Sequence, residues 1–294
     1  MLISQCLFSA FIKMKTIKFD STFFNVQDTL TCGQFFAYEQ FGLGYLVRAL
    51  NKFCYCYNFG DSAYIECNDE DEAFFRDFFD LERDYESLYR KALSENFAFL
   101  NLCVEKGKGI RILRQPKTEN LISFMISQNN NIPRIKNSVK YLCEKLGEEV
   151  EFNGKLYHAF PDIERLAKQD VSFFKDAGLG YRAEYLKELC QKLAGGLDLE
   201  KFALLPSEKL KEELLKIKGV GDKVASCVTL FSYSRFDSFP VDTWIEKIYR
   251  ENFDGKLTDR KKISSYFTDK FGEESGIIQQ YMFHYKRNLE RSNK

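Results

Sequence analysis

The chain has 294 residues, 16% of them aromatic, and equal numbers of basic and acidic side chains, 43 of each. This composition excludes a largely disordered protein, and the length predicts two or three subdomains around sizeable cores. The zero net charge hides an asymmetry, since residues 1–100 carry nine Lys and Arg against 15 Asp and Glu, whereas the remainder carries 34 against 28. A basic C-terminal two-thirds is compatible with a polyanionic partner, although most charges of a soluble protein simply face water.

The N-terminus and the cysteines bear on the cellular compartment. The first residues, MLISQCLFSAFI, have no basic segment ahead of their apolar part, and no run approaches the ~18 apolar residues of a membrane span. Nine cysteines, spread from Cys6 to Cys227, fit a reducing compartment better than a disulfide framework. We therefore expect a soluble intracellular protein, cytoplasmic, nucleoid-associated or nuclear, with no membrane partner.

Residues 1–100 are predicted to form a small antiparallel sheet domain with a flanking helix. Short aromatic and β-branched runs between glycine-containing turns are typical of strands: FFAYEQ, YLVRAL, FCYCYNF and SAYIEC. Cys54 and Cys56 alternate as in a strand and lack the further cysteines or nearby histidine of a zinc site, so we expect no bound metal.

After about residue 70 the apolar residues recur at helical spacing almost to the end, first in EAFFRDFFDLERDYESLYRKAL and then in later segments such as NLISFMISQ and RIKNSVKYLCEKLG. We expect a helical domain over residues 101–294, and hence a mostly helical α+β protein. Within it, Asn131 before Pro133 is predicted to begin a helix.

Residues 206–233 are predicted to form two helices joined by the turn KGVG, with Ser207 as the first cap. Glycines at 219 and 221 permit positive φ and leave backbone N–H groups unshielded at a helix N-terminus, where a phosphate binds well. A helical hairpin whose glycines only turn the chain explains this turn equally well.

Two charged residues follow this turn. Lys223 lies in the first turn of the second helix, where the helix dipole disfavours a cation and so makes a neutral, nucleophilic amine more available. Asp242 precedes TWIEKIYREN as a favoured N-cap, with Thr243 and Glu246 as a capping box. A solvated surface lysine and a simple cap explain each residue alone, but their joint occurrence behind the glycine turn is much more specific.

The combination of LLKIKGVGDKVASCV and FPVDTW resembles the helix-hairpin-helix, Gly/Pro–Asp motif of the DNA glycosylase superfamily, in the branch where a lysine follows the hairpin. Further segments are similar, in the same order, to those of the 8-oxoguanine DNA glycosylases: CGQFF, LISFMISQNNNIPRI, GLGYRAEY and QQYMF. The resemblance extends over roughly residues 20–290. It implies a monomeric glycosylase and AP lyase of base excision repair that acts on duplex DNA containing 8-oxoguanine.

The resemblance also implies roles for individual residues. Lys223 would attack the sugar C1′ and form a Schiff base, while Asp242 would assist the lysine and stabilise positive charge on the sugar. Because C1′ is buried in a duplex, the nucleotide must be flipped out, and Asn129 would fill the space that it leaves. The hairpin residues Gly219, Val220 and Gly221 would contact the DNA backbone.

Four residues are implied as the base pocket. Gln279 and Phe283 share one helical face and suit a base edge and a base plane, and Cys227 resembles the family's pocket-wall cysteine. The carbonyl of Gly33 would accept N7–H of 8-oxoguanine and repel the N7 lone pair of guanine. Partial burial, a core cysteine and a turn between strands explain the same residues from the sequence alone.

A preference for cytosine opposite the lesion is assigned to Arg134 and Arg182, with Tyr181 beside them. Unpaired cytosine offers two acceptors to an arginine fork, whereas adenine presents a donor. The alternative is that both arginines contact only phosphates.

The sequence departs from the family at Trp244, where familiar eukaryotic members carry a phosphate-binding histidine. His158 and His284 lie outside the motif, so we assign no catalytic histidine. No cysteine follows Cys227, which excludes the iron-sulfur cluster of related endonucleases; we expect no cofactor beyond a monovalent or divalent cation at the hairpin when DNA is bound. The alternatives are a glycosylase for other oxidised or alkylated bases and a non-catalytic DNA-binding module.

Overall fold

A computed structural model describes residues 13–95 and 97–292 of the chain. The expectation drawn from the first twelve residues therefore lies outside the described residues. Among the helices that the structure describes, none has both the length and the apolar character needed to cross a bilayer.

The N-terminal part of the chain contains a five-stranded antiparallel sheet in the order β1-β5-β4-β3-β2. Ile17 of the edge strand β1 pairs with Ile65 of β5, and both side chains are buried. The strands are β1 (Met14–Asp20), β2 (Tyr38–Phe41), β3 (Gly44–Ala49), β4 (Lys52–Phe59) and β5 (Ser62–Asn68).

Fourteen helices are present in the described residues, and with the sheet they confirm the predicted, mostly helical α+β fold. They are α1 (Val26–Thr31), α2 (Glu72–Phe78), α3 (Tyr85–Ser94), α4 (Ala98–Gly107), α5 (Lys117–Ile126), α6 (Ile132–Leu146), α7 (Ile163–Ala167), α8 (Val171–Asp176), α9 (Arg182–Ala194), α10 (Ser207–Leu215), α11 (Asp222–Tyr233), α12 (Thr243–Asn252), α13 (Arg260–Phe271) and α14 (Ser275–Ser292).

The structure corrects several predicted elements. Strand β1 was not predicted, because MKTIKFD lacks the aromatic alternation of the other strands. A second hairpin, β6 (Glu149–Phe152) and β7 (Lys155–His158), interrupts the helical part. Its turn is Asn153–Gly154, both at positive φ, and this dipeptide was the overlooked signal. The run of helical spacing after residue 70 forms two helices, α2 and α3, because Asp80 between them has φ +50° and its carboxylate accepts a hydrogen bond from Tyr85.

Two hydrophobic cores meet around residues 30–36. Leu30 and Phe35 belong to the core beneath the sheet, whereas Cys32 and Phe36 belong to the larger helical core. This segment therefore crosses from one core to the other and is packed on both sides. The predicted division at residue 100 falls inside α4, whose Leu100 lies in the helical core, so the two cores are not separated at that point.

Candidate active site

Helices α10 and α11 form the predicted hairpin, and their glycines differ in conformation. Gly219 has φ +86°, and a Cβ there would lie 2.7 Å from the ring of Tyr185. Gly221 has φ −101° and is the N-cap of α11, where a Cβ would meet no described atom within 4 Å. Only Gly219 therefore requires the left-handed region and the close approach that a glycine allows.

The amides of the turn are also unequal. The N–H of Val220 donates to the carbonyl of Ile217 at 3.0 Å, and the Val220 side chain is buried in the helical core. The N–H groups of Gly219 and Gly221 have no acceptor within the described part of the protein. The two glycine amides thus remain for an anion, whereas the Val220 amide is engaged within the turn; the predicted contact of Val220 with the DNA backbone stays a prediction.

Of the two helix caps predicted near the hairpin, one is wrong and one is confirmed. Pro206, not Ser207, precedes α10, and the hydroxyl of Ser207 donates to Asp237 at 3.0 Å. Asp242 caps α12 as predicted, since its Oδ1 accepts from the amides of Trp244 and Ile245, both at 3.0 Å.

The predicted capping box between Thr243 and Glu246 is absent from α12. Thr243 is the first helical residue, and Glu246 accepts from Arg260 at 3.0 Å instead of from the cap. The carboxylate of Asp242 therefore provides the side-chain cap of this helix on its own.

Lys223 and Asp242 lie against the same small cavity. The Nζ atom of Lys223 is 3.4 Å from the Ser127 hydroxyl and 4.7 Å from the ring centre of Phe124. Burial raises the pKa of Asp242 from its ordinary value, while its backbone hydrogen bonds and the nearby Lys223 act in the opposite direction. A lysine and a carboxylate are thus held together at the edge of the hairpin.

The cavity beside Lys223 also contains every residue predicted for the base pocket. Burial raises the pKa of the Cys227 thiol to about 11, so this wall is uncharged at neutral pH. The cavity has a volume of about 40 Å³. Its lining consists of Gly33, Phe124, Lys223, Cys227, Phe231, Pro240, Asp242, Gln279, Gln280 and Phe283.

Gln279 has a feature that the sequence did not reveal. Its side chain is 5% exposed, and its Oε1 has no hydrogen-bond partner within the described residues. Buried polar atoms are nearly always paired, so an orphan acceptor in a cavity wall points to a donor on a ligand. The N1–H and exocyclic N–H groups of a guanine edge are donors of this kind.

A larger cleft of about 790 Å³ adjoins the small cavity and shares Gly33, Lys223, Asp242 and Phe283 with it. The sequence did not single out two of its cationic residues, which are Arg260 at the start of α13 and Arg287 on α14. Nothing in the local sequence distinguishes either arginine, because only the packing of α13 and α14 brings them to the cleft.

Asn129 lies on the rim of this cleft in a left-handed conformation, with φ +44°. Arg182 stabilises this turn, since its guanidinium donates to the carbonyls of Gln128 at 2.7 Å and Asn129 at 2.9 Å. The side-chain amide of Gln128 in turn donates to the carbonyl of Gly219 at 2.9 Å. The predicted wedge is therefore connected to the hairpin by hydrogen bonds.

The three residues predicted to read the opposite base have different environments. Arg134 is exposed on the first turn of α6, and Tyr181 is 57% exposed. Arg182 is only 7% exposed and is engaged by three backbone carbonyls, including that of Leu179. The prediction that Arg182 reads a base thus requires it to exchange some of these bonds, whereas Arg134 needs no such change.

Trp244 lines the cleft beside Arg260, at the position of the family histidine. His158 lines a separate cavity between the sheet and α6, and His284 is buried, with its pKa lowered to about 4. Burial is the larger cause of this shift and the nearby Arg287 the smaller. Among the described residues no group of three or more His, Cys, Asp or Glu could hold a metal ion.

A helix-hairpin-helix followed by a lysine and a capping aspartate at one pocket defines a protein of the base-excision glycosylase class. The family model for the HhH-GPD superfamily of base excision DNA repair proteins matches residues 122–271, about half of the chain. The model for the N-terminal domain of 8-oxoguanine DNA glycosylases matches residues 16–121. The chain therefore belongs to the 8-oxoguanine DNA glycosylase family of this superfamily.

Similar solved structures cover nearly the whole chain. The 8-oxoguanine glycosylase/lyase of Clostridium acetobutylicum, in complex with double-stranded DNA containing cytosine opposite 8-oxoG, is 35% identical. That structure aligns with a TM-score of 0.88 over 95% of this chain and 98% of that chain. A 3-methyladenine DNA glycosylase from Archaeoglobus fulgidus is 19% identical with a TM-score of 0.73, which shows a shared fold alone.

Curated relatives match over shorter lengths. A probable N-glycosylase/DNA lyase of Methanothermobacter thermautotrophicus is 28% identical over 71% of this chain and 72% of its own length. The N-glycosylase/DNA lyase OGG1 of Arabidopsis thaliana is 35% identical over 60% of this chain and 52% of its own length.

Proposed function

We propose that this protein is a DNA glycosylase and AP lyase that excises 8-oxoguanine from duplex DNA in base excision repair. The observation that carries the proposal is the single cavity that joins a candidate nucleophile, a carboxylate and a base-reading set. These residues come from the segment before β2, from α11, from the start of α12 and from α14: Gly33, Lys223, Cys227, Asp242, Gln279 and Phe283.

The lysine supplies the covalent chemistry. The neutral amine of Lys223 attacks C1′, the bond from C1′ to the base breaks, and the base leaves with the bonding electrons and takes up a proton. Loss of a proton from nitrogen and opening of the sugar ring give a Schiff base between Lys223 and C1′. Removal of a proton from C2′ then expels the 3′ phosphate, which cuts the strand by β-elimination.

Asp242 supports this reaction electrostatically. The amides of Trp244 and Ile245 hold its Oδ1, while Oδ2 makes no hydrogen bond within the described residues. A carboxylate fixed in this way stabilises positive charge as it develops on the sugar, without reorganising during the reaction. It also serves as the base that accepts the proton of the Lys223 ammonium, which leaves a neutral, nucleophilic amine.

Lesion recognition is assigned to the opposite side of the cavity. The Gly33 carbonyl accepts the N7–H that 8-oxoguanine has and guanine lacks, the Gln279 acceptor takes a donor of the base edge, and Phe283 stacks on the base plane. Gly219 and Gly221 bind a backbone phosphate, and Asn129 fills the space left by the flipped nucleotide.

The same proposal includes the setting of the reaction. Cytosine is the preferred opposite base, read by Arg134 with Tyr181 and Arg182. The protein acts inside the cell as a monomer, needs no redox cofactor, and at most holds a cation at the hairpin when DNA is bound.

The substitution Lys223→Gln tests the proposal. We expect the wild type to excise 8-oxoguanine opposite cytosine in a single-turnover assay and to form a borohydride-trapped adduct, because the Schiff base passes through Lys223. Lys223→Gln loses both activities but keeps the melting temperature and binding to lesion DNA. Lys216→Gln is the control, since Lys216 is an exposed lysine at the end of α10 that pairs with Glu213 and does not line the cavity.

Near wild-type excision by Lys223→Gln would contradict the assignment of the nucleophile. A panel of duplexes tests the substrate separately. Release of an alkylated base by the wild type, with 8-oxoguanine left in place, would show that the protein is a glycosylase for a different lesion.

A further inference from the structure

Helix α14 holds the segment just before the base-reading glycine. The Gln280 amide donates to the carbonyl of Cys32 at 2.9 Å, and the Arg287 guanidinium donates to the carbonyl of Thr31. Both carbonyls belong to the peptide units immediately before Gly33. Their orientation is therefore fixed by two side chains of a helix that lies more than 240 residues further along the chain.

The same helix closes against Gly33 itself. Gly33 has φ +93°, and a Cβ there would lie 2.9 Å from Cε1 of Phe283 and 3.1 Å from Nη1 of Arg287. The guanidinium carbon of Arg287 also lies 5.6 Å from the centre of the Phe283 ring. Arg287 is 5% exposed, and its guanidinium lies close to both the glycine and the ring, which line the base cavity together.

The chain after Gly33 is fixed by different residues. The Gln34 side chain donates to the carbonyl of Arg111 at 2.8 Å and accepts from the amide of Leu113 at 2.9 Å. Gly33 thus joins two segments that are each fixed by hydrogen bonds, and the segment before it is fixed by side chains of α14. Loss of that anchor would let the Gly33 peptide rotate, because glycine has the widest backbone freedom of any residue.

We propose that Arg287 is a positioning residue for lesion recognition, which fixes the Gly33 carbonyl and the Phe283 ring at the distance and angle that 8-oxoguanine requires. The inference rests on the proposed function and deepens it. Arg287 acts on the base side of the cavity, whereas Lys223 and Asp242 are held by α11 and the start of α12. Its loss should therefore impair base excision and leave the chemistry at a sugar without a base intact.

The test compares two substrates of one sequence, a duplex with 8-oxoguanine opposite cytosine and the same duplex with a preformed abasic site. For Arg287→Met we expect single-turnover excision of 8-oxoguanine to fall about 10–100-fold, because small misplacements of a binding group have effects of this size. Nicking of the abasic duplex should stay within about twofold of wild type. Arg287→Lys keeps the charge and one donor, so it should restore part of the excision rate.

Lys286→Met is the matched control. Lys286 is the neighbouring cation on α14 and is equally buried, but it pairs with Glu251 at 2.6 Å and so connects α14 to α12. Replacement of Lys286 should change excision of 8-oxoguanine and nicking of the abasic duplex by the same factor, or leave both unchanged. If Arg287→Met fails to fold, Gln280→Met tests the same anchor through the Cys32 carbonyl.

The outcomes separate this inference from the proposed function. Unchanged excision by Arg287→Met would overturn the positioning role. A parallel loss on both substrates would also overturn it and would indicate a general contact to DNA from the cleft. A wild type that nicks abasic DNA but does not release 8-oxoguanine would refute the proposed substrate, and the inference with it.

Discussion

At the residue scale, Asp242 shows how one side chain combines a structural and a chemical role. Its Oδ1 satisfies two amides at the start of α12, and the same carboxyl group borders the cavity with Lys223. The cap needs only an oxygen acceptor, whereas stabilisation of a positive sugar needs a negative charge. The two roles can therefore be separated by a change that keeps the oxygen and removes the charge.

Asp242→Asn is that change. Because Asn caps helices about as well as Asp, we expect the free energy of unfolding to change by less than about 0.5 kcal/mol at acidic pH. The excision rate should fall about a hundredfold or more, as it does when an electrostatic stabiliser of a transition state is removed. Thermal unfolding and single-turnover excision measure the two effects, and an unchanged rate would leave Asp242 as a cap only.

The pH dependence of this pair follows from the buried position of Asp242. Burial raises the pKa of its carboxyl group above the ordinary 3.8, so the carboxylate is lost at a higher pH than usual and excision should decline there as the pH falls. The free energy of unfolding changes in the opposite direction to the excision rate. Because the pKa of Asp242 is raised in the folded state, ionisation of its carboxyl group destabilises the folded state as the pH rises. Asp242→Asn should thus gain stability over wild type toward neutral pH and lose the acid limb of the rate profile.

At the scale of elements, the hairpin depends on one glycine far more than on the other. Gly219 combines a positive φ with contact to the Tyr185 ring, whereas Gly221 caps α11 with an ordinary backbone conformation and open space around its Cα. Both offer an amide to an anion, but only Gly219 needs the absence of a side chain. The two glycines therefore form a matched pair for mutation.

Gly219→Ala should destabilise the protein by about 1–3 kcal/mol, because alanine is strained at this φ and its methyl group would displace Tyr185. Binding to duplex DNA should weaken as the turn shifts. Gly221→Ala should change stability by less than about 0.5 kcal/mol, since a poorer N-cap is offset by lower entropy of the unfolded chain. Denaturant unfolding and fluorescence anisotropy measure both variants, and equal effects would refute this assignment.

The turn at Asn129 is a second element whose shape comes from elsewhere in the chain. Its left-handed residue is stabilised by the Arg182 guanidinium, and Gln128 connects it to the hairpin at Gly219. Displacement of the hairpin by bound DNA would therefore be transmitted to the turn through these hydrogen bonds.

At the scale of the whole molecule, the base cavity lies where two cores meet. The segment around Gly33 crosses between the sheet core and the helical core, and α14 closes the cavity from the other side. The cleft outside it carries Lys223 and Arg260, consistent with a DNA backbone as the partner.

Recognition of the opposite base is assigned to Arg134, which is exposed on the first turn of α6. We expect wild type to excise 8-oxoguanine fastest opposite cytosine, and Arg134→Ala to reduce the preference by about 1–3 kcal/mol, because a base-reading arginine contributes discrimination of this size. Excision opposite C, T, G and A measures the preference. Arg90→Ala is the control, since Arg90 is an exposed arginine of α3 that pairs with Glu86. Uniformly slower excision with the same ranking would assign Arg134 to the phosphate backbone.

The sequence by itself determined the hairpin and the Asp242 cap, because these depend on residues close together in the chain. It also determined the family, because several separate motifs occur in the family's order. The ranges of α11 and α12 follow from helical periodicity and from their end signals. The Asn153–Gly154 hairpin was equally local and could have been recognised.

Only the tertiary structure decided which distant residues meet. Arg182 is buried and donates to backbone carbonyls. Arg287 lies against Gly33, although nothing in the sequence around Arg287 predicts this contact. The physical reason is that the hydrogen-bond partners of a guanidinium are set by the packing of distant elements. Sequence periodicity predicts which face of a helix is buried, but not which residues cover that face.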